Sequence, residues 1–126
     1  ISYKVLPQKN LQNLEGANHY YAKAVATGVT DLDQIASIIS NYCTVTEADC
    51  YAVLKALEHV MPMELSEGRI VKLDGLGNFQ ISISSKGDED ESAINNESIT
   101  SNRILFRPGI KFRNLLKSVN YKKITI

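Results

Sequence analysis

The sequence predicts an α+β fold: two helices, a glycine–phenylalanine hairpin, then a closing strand and short helix. Three observations carry it. From Gly68 to Ile83, Ile70, Lys72 and Asp74 alternate with Val71 and Leu73, and Phe79, Ile81 and Ile83 alternate with Gln80, Ser82 and Ser84, which reads as strand, glycine turn, strand. Upstream, Leu32, Ile35, Ala36 and Ile39, and then Cys50, Val53, Leu54, Leu57, Val60 and Met61, recur at helical spacing. Downstream, Phe106-Arg107-Pro108-Gly109 sets a proline and a glycine just ahead of a short helical segment.

The elements follow in order. Ile1 to Leu6 alternates as a strand, and Pro7 is expected to end it. Gln8 to His19 is polar, with Asn13 and Gly16, and reads as a loop. Tyr20 to Ala26 alternates like a strand although its alanines also suit a helix; a strand is expected, closed by Gly28. The first helix is expected over Thr30 to Tyr42, with Thr30 and Asp33 as a capping box. The second starts at Thr46, with Asp49 as its box partner, and runs toward Leu65 with Gly68 as its stop. Pro62 lies inside it and should kink it or interrupt its hydrogen-bond ladder.

The hairpin strands are placed at Arg69 to Asp74 and Asn78 to Ser84. Gly75 and Gly77 are expected to supply positive-φ positions at the turn, and Phe79 to drop a ring into the core. Residues 85–102 are polar and acidic and read as a flexible arm. Arg103 to Arg107 returns as a strand and Ile110 to Val119 as a helix; Tyr121 to Ile126 alternates again, suited to pairing with the N-terminal strand.

The 126 residues, 44% of them hydrophobic, suffice for a core, and 1–126 is expected to form a single domain. No apolar run approaches the roughly 18 residues needed to span a bilayer, and no charged-then-apolar leader is present, so no membrane partner is expected. The chain opens on Ile1 rather than Met, as a trimmed or processed form would. Cys43 and Cys50 are too few for a disulfide framework and read as two free thiols. The wide apolar stripe of the second helix, extended by Tyr42, Tyr51 and Val60, and the small sheet bury little alone; a homodimer is expected.

Net charge is zero, from 14 basic and 14 acidic residues. That total hides two opposed segments. From Arg103 onward come Arg103, Arg107, Lys111, Arg113, Lys117, Lys122 and Lys123 with no acidic residue. Between Gly87 and Asn102 lie Asp88, Glu89, Asp90, Glu91 and Glu97 with no basic one. A binding surface presents local charge, not the sum.

Chemistry finds few footholds. His19 and His59 lie far apart with no evident partner and read as surface or boundary residues. There is no nucleophile-elbow serine and no metal-spaced cluster. Gly75-Leu76-Gly77 joins two strands rather than a strand and a helix, and lacks the lysine of a phosphate loop. Asp88 to Glu91 lacks the alternating ligands of a calcium loop and reads as a solvated turn. No enzyme, cofactor, metal or small-molecule substrate is expected. The serious candidate is the C-terminal corner. Pro108 and Gly109 open a helix whose first amides carry partial positive charge, and Lys111, Arg113 and Lys117 add full charges beside it. Composition alone suits this corner equally to phosphate and to a solvated cationic helix face completing a dimer.

This order of parts resembles the HU and integration host factor family of bacterial architectural DNA-binding proteins. Gly75, Gly77 and Phe79 fit its Gly-x-Gly-x-Phe, with Leu76 where Phe is usual; Phe106 to Gly109 fit its motif before the last helix. The resemblance covers about 30–119, and the extra terminal strands, 1–28 and 120–126, are similar to a longer HU-like branch of Bacteroides and its relatives. It implies an HU-like intertwined homodimer, cytoplasmic and nucleoid-associated, that binds the phosphate backbone of double-stranded DNA without sequence preference. The residues it implicates are Lys72, Lys86, Arg103, Arg107, Pro108, Gly109, Lys111, Arg113 and Lys117; Arg113 falls where the family commonly has a lysine facing the DNA backbone, and Ile110 where a basic or polar residue is frequent. The arm departs from the pattern. The family's basic ribbon inserts a proline into the minor groove to kink the duplex, whereas residues 85–102 hold one lysine, Lys86, five acidic residues and no proline. A dimeric protein-interaction module that has lost DNA bending or binding is the alternative.

Overall fold

The computed structural model describes residues 1–8 and 19–125. In chain order its elements are β1 (Ser2–Gln8), β2 (His19–Val25), α1 (Leu32–Ser40), α2 (Glu47–Ser66), β3 (Val71–Lys72), β4 (Gly77–Ser85), β5 (Ile99–Pro108), α3 (Ile110–Ser118) and β6 (Lys122–Lys123). The chain divides into two compact units, one of residues 1–31 with 117–126 and the other of residues 32–116.

The first unit is a three-stranded sheet in the order β2-β1-β6. β1 and β2 pair antiparallel, from Ser2 opposite Val25 to Gln8 opposite His19. β6 joins in parallel, with Ser2 beside Lys122 and Tyr3 beside Lys123, so the two ends of the chain do pair. The Lys122 amide donates to the Ile1 carbonyl at 2.9 Å and the Ile124 amide to the Tyr3 carbonyl at 2.8 Å. The segment that suited either structure is a strand, as its tyrosines and Val25 favour when a partner strand is at hand. Pro7 does not end β1, contrary to expectation. Beyond Tyr3 the strand has a neighbour on one side only, and an edge accommodates a residue without an amide proton. Gln8 and His19 belong to strands, and the rest of the expected loop, 9–18, lies outside the described residues.

In the second unit α1 packs against α2, and β3, β4 and β5 form an antiparallel sheet. α1 is shorter than the expected Thr30 to Tyr42 at both ends. α2 starts as its cap predicts: the Thr46 hydroxyl accepts the Asp49 amide at 3.2 Å. It continues through Pro62, which has no N–H to offer the preceding turn, so one rung of the ladder is missing within an otherwise continuous helix. It closes at Gly68, whose φ of +80° lets its amide donate to Leu65 at 3.0 Å while Arg69 donates to Glu64 at 3.3 Å. The Gly68 bond engages a carbonyl of the last turn, and the Arg69 bond gives Glu64, which also accepts the Glu67 amide at 3.2 Å, a second donor.

The turn between β3 and β4 corrects the sequence reading. Positive φ falls at Asp74 (43°) and Gly77 (144°), not at Gly75. Aspartate tolerates the left-handed region better than most side chains, and Gly75 is needed for space instead. A Cβ there would stand 2.7 Å from Lys111 Cγ. Phe79 is half-buried rather than sealed in a core, 4.8 Å ring to ring from Phe106, which is 6.1 Å from Phe112.

β5 begins at Ile99, four residues before the expected Arg103, because Ile99 and Thr100 favour extended backbone and find the end of β4 beside them. Ser85 and residues 99–102 are therefore sheet, and the acidic connection shrinks to 86–98. It carries two 3-10 turns, Glu91–Ala93 and Asn96–Ser98, with Asp90 and Asn95 accepting the amides of Ser92 and Glu97. The Ser92 hydroxyl, and after it the Ser92 amide, hold the Asp90 carboxyl below the ordinary aspartate range. That contribution is present above the ordinary carboxyl range and fades as acidification protonates Asp90.

Buried apolar residues are few: Ala36 on α1, and Cys50 and Leu65 on α2. Among the described residues no large side chain is fully buried. Both cysteines are free, Cys43 exposed and Cys50 buried. Burial first, then the neighbouring Cys43 thiol, raises the Cys50 pKa. A maleimide at mildly alkaline pH should label Cys43 rapidly and Cys50 only after unfolding. Equal rates at both, read by mass spectrometry, would show that Cys50 is not enclosed.

Candidate nucleic-acid interface

Side chains alternate across a sheet, so the register of β3, β4 and β5 sorts them into two faces. One face carries the rows Val71–Phe79–Phe106 and Ile81–Ile104, with Ile83 opposite Asn102. It is apolar and open: Ile83 and Ile104 are 55% and 57% exposed. The other carries the row Lys72–Asn78–Arg107, then Gln80–Leu105, Ser82–Arg103 and Ser84–Ser101. This face is polar and holds three cations.

Lys72 and Arg107 are two strands apart in one row, about 10 Å, and Arg103 lies four residues from Arg107 along β5, about 13 Å. All three are exposed, and Arg103 Nη1 donates to the Ser84 hydroxyl at 3.4 Å. None of them forms an ion pair: the two salt bridges among the described residues are Lys55–Glu58 and Arg69–Glu64. The structure thus gathers three sequence-predicted residues on one sheet face. Asn78, between Lys72 and Arg107, completes the row and was not singled out from sequence, where it reads only as the first residue of a hairpin strand.

The corner at Pro108 and Gly109 is built differently from the sequence expectation. The Gly109 amide donates to the Leu76 carbonyl at 2.8 Å and the Lys111 amide to the Gly75 carbonyl at 3.0 Å. These bonds dock the start of α3 onto the β3–β4 turn, so two of the amides expected to face phosphate are engaged within the chain. Gly109 has no room for a side chain, since a Cβ would stand 2.5 Å from the Gly75 carbonyl oxygen. The Lys111 stem lies over Gly75, whereas Arg113 and Lys117 are one helical turn apart on a different face of α3. All three are exposed. Lys86 stands apart from the others, about 13 Å beyond the Ser82–Arg103 row, in a recess shared with Asp88 and Glu97. Among the described residues no group of His, Cys, Asp and Glu stands together as a metal site, and no helix is long and apolar enough to cross a membrane.

Two helices ahead of a glycine hairpin and a Pro-Gly-led final helix define a recognisable class of fold. A solved structure from Bacteroides vulgatus ATCC 8482, described provisionally as a bacterial DNA-binding protein, shares it with a TM-score of 0.59 at 14% identity. The alignment covers 98% of this chain and 48% of that one, so this chain spans about half the length of its structural relative. The chain belongs to the HU-HIG family, described as an HU domain fused to a winged helix-turn-helix, Ig or glycine-rich motif, whose model matches residues 1–123. No curated protein matches it.

Proposed function

We propose that the protein is a nucleoid-associated homodimer that binds double-stranded DNA through its phosphate backbone, without sequence preference. The observation that carries this reading is the two-faced sheet of the second unit. Its cationic face sets unpaired Lys72, Arg103 and Arg107 where a polyanion can neutralise them. Its apolar face leaves Ile81, Ile83, Ile104 and Phe106 for a second copy to cover. Arg113 and Lys117 on α3, and Lys111 beside the turn, extend the cationic set; Pro108 and Gly109 hold α3 in place rather than touching DNA themselves. HU-HIG membership agrees with this reading.

Sedimentation equilibrium at micromolar concentration should give about twice the 14.0 kDa chain mass. A clean monomer would leave the apolar face without an occupant. Two unrelated duplexes of about 30 base pairs should bind with similar affinity at low salt, because backbone contacts carry no base information. Strong preference for one sequence, or no binding at all, would overturn the proposal. Bending should be slight in an energy-transfer assay. The connection 86–98 has five carboxylates and no proline to wedge a base step.

A further inference from the structure

The two faces of the terminal sheet are as unlike as those of the second unit. On one side Tyr3, Val5, Tyr20, Ala22 and Ala24 line up, with Lys123 beside Tyr3. On the other, Lys4 lies directly opposite Lys23, and in the adjoining row Lys122 lies beside Ser2, which faces Val25. Tyr21, 53% exposed, continues that side opposite Leu6. Opposed β positions place Cβ atoms about 5 Å apart, and adjoining rows on one face are separated by about 7 Å. Three lysines thus share one face of this sheet in neighbouring rows.

Like charges directly opposite one another across a strand pair destabilise it. A carboxylate neighbour would relieve the strain, yet among the described residues none of the three forms an ion pair or donates a side-chain hydrogen bond. The described part of this unit contains one acidic residue, Asp31. An anion placed against this face would relieve the repulsion between the opposed lysines. We propose that this face of β1, β2 and β6 is a second duplex-DNA contact surface, in which Lys4, Lys23 and Lys122 engage backbone phosphates and Tyr21 packs beside the sugar edge. The inference rests on the DNA-binding reading above. It adds a site on the terminal strands, separate from the sheet face of Lys72, Arg103 and Arg107. Lys23 and Lys122 stand two strands and one row apart, about 12 Å, and each DNA strand offers one phosphate per roughly 3.4 Å of axis, so a patch of that span meets about three of them.

The test compares wild-type protein with Lys4→Gln/Lys23→Gln/Lys122→Gln in salt titrations on a labelled 30-base-pair duplex. The variant should bind at least tenfold more weakly at low salt, its log–log salt slope reduced by roughly 2 to 3, since each lost phosphate contact removes about 0.9. Its melting temperature without DNA should match or exceed that of wild type, because the opposed lysines are gone. Unchanged slope and affinity, in a variant that folds beside a wild type that binds DNA, would overturn this site alone. Loss of binding to an acidic peptide with DNA affinity intact would overturn it in favour of a protein-docking face. A wild type that fails to bind DNA at all would overturn both this site and the DNA-binding reading.

Discussion

Gly77→Ala is expected to destabilise the protein by about 3 kcal/mol or more, the largest single-residue loss in the sheet. Gly77 is buried at φ +144°. A Cβ there would run into the Arg107 carbonyl oxygen and stand 2.7 Å from Phe106 Cε1 and 3.1 Å from the Gly109 amide. Two of those neighbours are backbone, so relief requires moving β5 or the start of α3 rather than turning a side chain. The same movement would loosen Gly109, whose amide bond to Leu76 fixes the last helix. Gly28→Ala and Gly87→Ala make internal controls, because nothing lies within 4 Å of either added methyl and neither residue needs positive φ. Thermal melts at one fixed protein concentration compare the variants fairly, since dimerisation makes the midpoint concentration-dependent. A Gly77→Ala midpoint equal to those of the controls would show that the hairpin and α3 do not interlock as described.

Lys72→Ala/Arg103→Ala/Arg107→Ala should weaken duplex binding roughly a hundredfold at low salt, about 1 kcal/mol for each charge-assisted phosphate contact removed. The loss should be the same for every duplex sequence. The fold should persist, because these side chains are exposed and none sits in an ion pair. Arg103 gives up one long hydrogen bond to Ser84 and nothing else that holds the sheet. Wild-type affinity in the triple variant would move the interface away from this face. A sequence-dependent loss would mean that base edges are being read, contrary to the backbone-only reading.

How much of this the chain disclosed depended on whether the cause was local. The hairpin, the cap at Thr46 and the stop at Gly68 were legible because a few neighbouring residues determine them. The strand character of Tyr20 to Val25 was half legible, since its alanines pull toward helix until β1 lies alongside. Pro7 within β1 was missed because tolerance of proline depends on which edge is open, a fact of pairing and not of composition. The acidic stretch masked the start of β5: Ile99 pairs with Ser85, past a register shift at Thr100, only because β4 reaches far enough to meet it.

The candidate site divides the same way. Arg103, Arg107 and Lys72 could be listed from sequence, but their shared face follows from a register linking residues more than 30 positions apart. The role of Gly109 was misplaced for a related reason. A Pro-Gly before a helix advertises free amides, and only the tertiary contact with Gly75 and Leu76 shows two of those amides engaged. The lysines of the terminal strands were counted from sequence only as charge. Lys4, Lys23 and Lys122 become a patch only when both ends of the chain enter one sheet.

The most direct test of the central claim is the salt dependence of wild-type binding to a 30-base-pair duplex, followed by fluorescence anisotropy. Each phosphate contact contributes roughly −0.9 to the slope of log affinity against log salt, so the three cations of one sheet face alone predict about −3 or steeper. A slope near zero, or no binding at low salt, would contradict the account.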